Sequence, residues 1–133
     1  MYNPKKLKRD DLIYPKLCYQ VMGILFEAYR QLGPGYQEKY YQKVVALELK
    51  NCKLNYKQQV RVPLEYKGAK VGNYFLDFLI ENRMVLELKK GDRFSKKDIE
   101  QVYAYLKATG LKLGIIANFT SKGVRFKRIV NIK

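Results

Sequence analysis

The chain contains no histidine. That absence excludes His-based catalytic triads, histidine-ligated zinc and any hydrolytic mechanism with an imidazole base. Hydrolysis would have to run on carboxylates, lysine and a metal ion. Cysteine is nearly as scarce. Cys18 and Cys52 stand alone, without metal-ligand spacing, and read as reduced core residues of a cytoplasmic protein. No apolar run approaches the ~20 residues that cross a bilayer, so no membrane partner is expected. Met1-Tyr2-Asn3-Pro4-Lys5-Lys6 leads into no apolar segment of the kind a secretory signal needs. Acids are the under-represented charge: 12 Asp and Glu stand against 27 Lys and Arg, a net charge of +15. A small domain with this excess is drawn to polyanions, and nucleic acid is the expected partner.

With so few acids, their placement matters. Asp77 lies inside the apolar stretch Tyr74-Phe75-Leu76-Asp77-Phe78-Leu79-Ile80. Glu87 and Lys89 lie two apart in Met84-Val85-Leu86-Glu87-Leu88-Lys89. Alternation along a strand puts Glu87 and Lys89 on one face with Val85, and Leu86 and Leu88 on the other. Glu81-Asn82-Arg83 between the runs is a polar break. A three-residue loop there pairs Ile80 with Met84 and sets Asp77 opposite Glu87, with Cβ atoms roughly 5 Å apart. A two-residue loop would set Asp77 opposite Leu86 instead. In the first register two carboxylates and an ammonium meet at one point. Opposed carboxylates repel unless a cation joins them, and hard oxygen donors suit Mg²⁺ or Mn²⁺.

The length, 133 residues with 47% hydrophobic, fits one packed domain over 13–133 behind a basic arm over 1–12. The spacing predicts a first helix over 15–32, with Cys18, Val21, Met22, Leu25, Tyr29 and Leu32 on one face and Gly33-Pro34-Gly35 as its stop. A second helix is expected over about 36–51, with a stripe of Tyr41, Val44, Val45, Leu49 and Cys52. Glu38 sits in its first turn, suited to the positive end of the helix dipole. Glu48 falls within the stripe and implies a half-buried ion pair. Strands follow over 56–67, with Pro63 marking an edge or a bulge, then over 70–80 and 84–90. Ser95-Lys96-Lys97-Asp98 reads as a capping box opening a helix over 96–109, closed by Gly110. Ile99, Val102, Tyr103 and Leu106 form its core face, and Gln101 and Tyr105 stand away from it. Strands over 111–119 and 124–129 complete the order α-α-β-β-β-α-β-β. This is an α/β (α+β) architecture, a mixed sheet flanked by helices.

Several separated motifs also resemble one family. Gly35-Tyr36-Gln37-Glu38-Lys39-Tyr40-Tyr41 is similar to the signature of the GxxExxY proteins. So are Gln59-Val60-Arg61-Val62-Pro63, Tyr66-Lys67-Gly68, Leu106 to Gly114, and Asn118-Phe119, in the same order. That family resembles the PD-(D/E)XK nuclease superfamily. The resemblance implies a restriction-endonuclease-like core with Asp77, Glu87 and Lys89 as the motif residues and Glu38 as the acid of the preceding helix. A Gln-x-x-x-Tyr pattern matches Gln101 and Tyr105. Leu76 stands where the superfamily's name has Pro.

The expected activity is metal-dependent hydrolysis of phosphodiester bonds, with DNA as substrate and endonucleolytic cleavage. Asp77 bridges to Mg²⁺ or Mn²⁺, Glu87 and the Leu88 carbonyl supply further oxygens, and Glu38 completes the shell directly or through water. Lys89 stabilises growing phosphorane charge and positions water rather than acting as a base, because neighbouring carboxylates hold its proton. Gln101 holds a water or a phosphate, and Tyr105 donates its hydroxyl. Lys90, Arg93, Lys96 and Lys97 grip the phosphodiester backbone with little sequence preference. A homodimer would supply two sites for two strands. The alternative is a non-catalytic nucleic-acid-binding or assembly module on the same fold.

Overall fold

A computed structural model of the chain describes residues 13–132. The basic arm expected over 1–12 lies outside the described residues. The order is α1 (Pro15–Leu32), α2 (Glu38–Asn51), β1 (Tyr56–Tyr66), β2 (Ala69–Ile80), β3 (Met84–Lys90), α3 (Lys96–Thr109), β4 (Leu113–Thr120) and β5 (Gly123–Val130). This is the expected α-α-β-β-β-α-β-β series. The strands form one five-stranded sheet in the order β1-β2-β3-β4-β5. Only β3 and β4 run parallel, joined by the α3 crossover; the other neighbours are antiparallel. β1 and β5 are the edges, and Pro63 lies in β1, one residue before a register shift at Leu64/Glu65.

Each helix buries one stripe. α1 starts on Pro15, which suits a first helical position because its missing N–H would have no partner there. It buries Leu17, Cys18, Val21, Ile24, Leu25 and Ala28, and ends at Gly33, whose N–H donates to the Tyr29 carbonyl. α2 begins at Glu38, two residues later than expected, and buries Tyr41, Val45 and Leu49. The Tyr41 ring stacks on Phe119 at 4.0 Å between centroids. α1 and α2 pack on one sheet face against Phe78, Ile80, Met84, Leu86, Leu88 and the odd-numbered residues of β4. α3 packs on the other face, where Val102 and Leu106 meet Leu76, Val85, Ile116 and Ile129. β4 is buried along its whole length because helices cover both faces.

Four expectations are corrected. Cys52 is exposed at the α2 C-terminus rather than in the core, because the helix has ended before another turn can carry it inward. Tyr103 is 39% exposed, and Val102 and Leu106 alone form the fully buried α3 stripe. Glu48 is half-buried but forms no ion pair among the described residues. The expected capping box is half made: the Ser95 hydroxyl accepts from the Asp98 N–H, while the Asp98 carboxylate turns to Lys89.

β4 draws α3 unusually close at Gly114. A Cβ there would lie 2.5 Å from Val102 Cγ1. Gly114→Ala is therefore expected to lower unfolding free energy by about 1–3 kcal/mol, the usual cost of overpacking. Adding Val102→Ala should recover part of the loss. Chemical denaturation of the single and double variants measures both.

Candidate functional site

The loop Glu81-Asn82-Arg83 sets the geometry. Glu81 and Asn82 both take left-handed φ, at 54° and 53°, and Arg83 N–H donates back to Ile80. The β2–β3 ladder runs Ile80↔Met84, Leu79↔Val85, Phe78↔Leu86, the register of a three-residue loop. It then stops. The next step would oppose Asp77 to Glu87, and here side chains replace backbone acceptors. Asp77 N–H donates to Glu87 Oε1 at 2.5 Å, and Leu88 N–H donates to Asp77 Oδ2 at 2.7 Å. Each strand thus offers a carboxylate to the other strand's amide.

Asp77 also marks a change of side. Leu76 belongs to the core under α3, whereas Phe78 belongs to the core under α1 and α2. β1 does the same, with Tyr56 packing on one side and Val60 and Val62 on the other. The β1–β2 ladder passes from Gln58↔Phe78 to Val60↔Leu76, and Gln59 between them takes a left-handed φ of 51°. This twist lets Asp77 sit between the two cores, at the mouth between β2 and β3.

Asp77 and Glu87 are only 9% and 7% exposed. Burial is the main reason that the Asp77 carboxyl is pushed up from 3.8 to about 6; the Leu88 N–H and Lys89 oppose this, and Glu38 and Asp98 reinforce it. Burial, then the charge of Asp77, pushes Glu87 from 4.5 to about 8 against the Asp77 N–H and Lys89. Lys89 is half-buried. Burial alone would pull its ammonium down, but Asp98, Glu87, Glu38 and Asp77 together outweigh it and leave it raised. Its nearest acid is Asp98, at 3.7 Å.

The structure thus brings Asp77, Glu87 and Lys89 together, as the hairpin register requires. Glu38 lies near enough for its charge to act on Asp77 and Lys89, but it makes no hydrogen bond or ion pair to either. Among the described residues, no three acidic, histidine or cysteine side chains close into a metal cage. Two buried carboxylates, each unwilling to charge beside the other, are nonetheless a donor pair that a divalent cation would relieve.

The other expected residues divide. Gln101, Lys96 and Lys97 line an open cleft of about 570 Å³ with Leu64 and Tyr74, between α3 and the β1–β2 hairpin. Tyr74 donates its hydroxyl to the Gln101 carbonyl at 3.1 Å. Tyr105 packs at the margin of the core under α3; burial, then the nearby Glu87, raises the Tyr74 phenol. Arg93 is exposed on the loop after β3; Asn118 Nδ2 donates to its carbonyl at 2.7 Å. Lys90 departs from this group. It points to the α1–α2 side, where its ammonium donates to the Gly35 carbonyl at 3.3 Å. A larger cleft of about 710 Å³ lies between α1 and Arg128 of β5 and carries no acid among its described lining residues.

Three contributors were not foreseen. Gln42 donates to Asp77 Oδ1 at 3.2 Å. It lies one turn after Glu38 on the same helix face, and that spacing was the available signal. Asp98, read as a cap, is the partner of Lys89. Asn118 neighbours Lys89 in the parallel β3–β4 register and is 1% exposed, with Oδ1 buried and without a hydrogen-bond partner. Its polarity within an apolar run and its place in the Asn118-Phe119 motif were the available signals.

Comparison with known proteins bears on the family and the fold. A family model described as the PD-(D/E)XK nuclease superfamily matches residues 15–129. A solved structure titled "Crystal structure of SSO0001" shares the fold with a TM-score of 0.53 at 14% identity, over 94% of this chain. The match spans 62% of that longer chain. No curated protein matches.

Because folding holds protons on both carboxyls, stability depends on pH in a fixed direction. Between the unfolded values near 4 and the folded values of about 6 and about 8, the unfolded chain releases protons that the folded chain retains. Unfolding free energy in chelator should therefore fall as pH rises from about 4 to about 8. A tenfold change in proton affinity is worth about 1.4 kcal/mol. Glu87→Gln should flatten that slope and stabilise the protein at pH 8 by at least this amount. Denaturant titrations at pH 5 and pH 8 check it; parallel slopes in wild type and variant would contradict the assignment.

Proposed function

Because the chain belongs to the PD-(D/E)XK nuclease superfamily, we propose that it is a metal-dependent nuclease that hydrolyses phosphodiester bonds, with DNA as substrate and internal cleavage as the mode. The observation that carries this reading is the pair of buried carboxylates crossed between β2 and β3, with Lys89 one step further along the same face. Each acid satisfies a backbone amide, but burial resists the ionisation of both, a cost that a hairpin closed by an ordinary ladder does not carry. Nucleases of this superfamily use divalent metals. Here Mg²⁺ or Mn²⁺ would be held by Asp77, Glu87 and the Leu88 carbonyl, with Glu38 acting through water. Bound there, the ion supplies Lewis-acid activation of water and neutralises phosphate charge.

The chain's own residues do the rest. Lys89 remains an ammonium, since four acids raise it against burial. It therefore serves by orienting the attacking water and by stabilising the oxygens of the phosphorane, not as a proton acceptor. Asp98 holds that ammonium from the far side. Gln101 and Tyr105 place water or phosphate along α3. Arg93, Lys96 and Lys97 line the approach of the phosphodiester backbone, and Lys90 meets it from the other side of the sheet. A two-fold homodimer would present two such sites to two strands. Among the described residues no helix is long and apolar enough to cross a membrane. The scarcity of cysteine supports the cytoplasmic location that we propose.

A second reading is a nucleic-acid-binding or assembly module on the same fold. The lack of a three-acid cage among the described residues favours it. A cleavage panel of single-stranded, double-stranded and branched DNA and RNA with Mg²⁺ or Mn²⁺ separates the two. The nuclease reading expects cleavage of DNA that Asp77→Ala, Glu87→Ala and Lys89→Ala each reduce by at least about 100-fold, a typical loss for one electrostatic group, with binding largely kept. Tight binding without cleavage of any substrate would assign the protein to the second reading.

A further inference from the structure

Gln42 and Gln59 are assigned no role at the site above, yet they form a chain that ends on Asp77. Gln59 Nε2 donates to Gln42 Oε1 at 3.4 Å, and Gln42 Nε2 donates to Asp77 Oδ1 at 3.2 Å. The first bond fixes which end of the Gln42 amide faces the acid. With its oxygen engaged by Gln59, Gln42 presents N–H to the carboxylate. The terminal torsion of an aspartate is broad, so a single hydrogen bond leaves the carboxylate free to pivot. Leu88 N–H holds Oδ2 and Gln42 holds Oδ1, and together they fix its plane.

Gln59 occupies its place at a cost. It is exposed, it lies on the edge strand, and its φ of 51° is a conformation that non-glycine residues rarely take. Strain of this kind persists where the surroundings impose it, and here it lies at the step where β1 and β2 change sides opposite Asp77. The sequence places no glycine there, although glycine would remove the strain.

We infer that Gln42 is a positioning residue for the metal site, orienting the Asp77 carboxylate toward the ion, and that Gln59 acts through it by setting the Gln42 amide. The inference rests on the reading of Asp77 as a metal ligand and adds to it the group that aims the ligand. Outer partners of metal ligands commonly control affinity by 10-fold or more without touching the ion.

The test is calorimetric titration of Mn²⁺ into the full chain without nucleic acid, so no catalytic step enters. Gln42→Leu keeps the volume and removes the hydrogen bond; it is expected to weaken Mn²⁺ binding about tenfold. Gln59→Gly relieves the left-handed strain, so its melting temperature in chelator should equal or exceed that of wild type, yet it should bind Mn²⁺ more weakly. That split between stability and affinity is one a merely structural role does not give. The double variant should be no weaker than Gln42→Leu, because Gln59 has nothing left to orient. Wild-type affinity in Gln42→Leu, or a double variant that loses the sum of the two single effects, overturns the inference. Absence of Mn²⁺ binding by the wild type overturns the metal reading beneath it instead, and the two failures are thus distinct.

Discussion

Everything at the site depends on a crossed exchange between two strands that have stopped pairing. β2 and β3 hold a regular ladder as far as Phe78↔Leu86, and beyond it Asp77 N–H reaches the Glu87 carboxylate while Leu88 N–H reaches the Asp77 carboxylate. Unpaired backbone amides at the end of a buried ladder are costly. Carboxylates accept from amides more strongly than carbonyls do, so the exchange satisfies the backbone and fixes two acids in one stroke. Without the exchange, two acids beside an apolar core would be free to swing to water. With it, they are held where charging is resisted, and a divalent ion is the natural remedy.

The exchange in turn depends on the twist of the β1–β2 hairpin. The even-numbered residues of β2 change sides at Asp77: Phe78 and Ile80 face the core under α1 and α2, whereas Tyr74 and Leu76 face the core under α3. The acid sits where neither core claims the strand. α3 then closes the third side, with Asp98 against Lys89 and Val102 pressed onto Gly114. α2 closes the fourth, bringing Glu38 and Gln42. The site is a junction of four elements rather than a pocket in one. It is less stable than an apolar junction of the same shape, the familiar trade between stability and activity.

Much of this was legible from residue order. The polar loop Glu81-Asn82-Arg83 between two apolar runs fixed the register, and the register fixed the meeting of Asp77, Glu87 and Lys89. Ser95 and Gly110 bounded α3, and Pro63 marked the edge strand. Less legible was whatever required knowing how elements pack. Asp98 has the spacing of a cap, and only the approach of α3 to β3 reveals it as the partner of Lys89. Gln42 looks like any polar helix residue until the twisted hairpin brings Asp77 beneath it. Cys52 and Tyr103 fit an ideal helical stripe, but α2 ends at Asn51, and Val102 with Leu106 already fills the space under α3. Lys90 sits in a basic run with Lys89, and alternation alone sends it to the opposite face.

The short loop after β2 carries a consequence for how sequences of this fold can diverge. Its three residues hold core and chemistry to one phase of the strand: Leu86 and Leu88 face the helices α1 and α2 only while Glu87 and Lys89 face the cleft. A slip of one residue in the β2–β3 pairing would exchange the two sets, burying the charged pair among leucines and turning the leucines out, so the buried face specifies the register strongly. The turn can absorb changes of length, whereas the identities of Glu81 and Asn82 are constrained by their left-handed φ and by the Asn55 N–H that Glu81 accepts; what cannot shift is the alternation that keeps Glu87 and Lys89 off the leucine face.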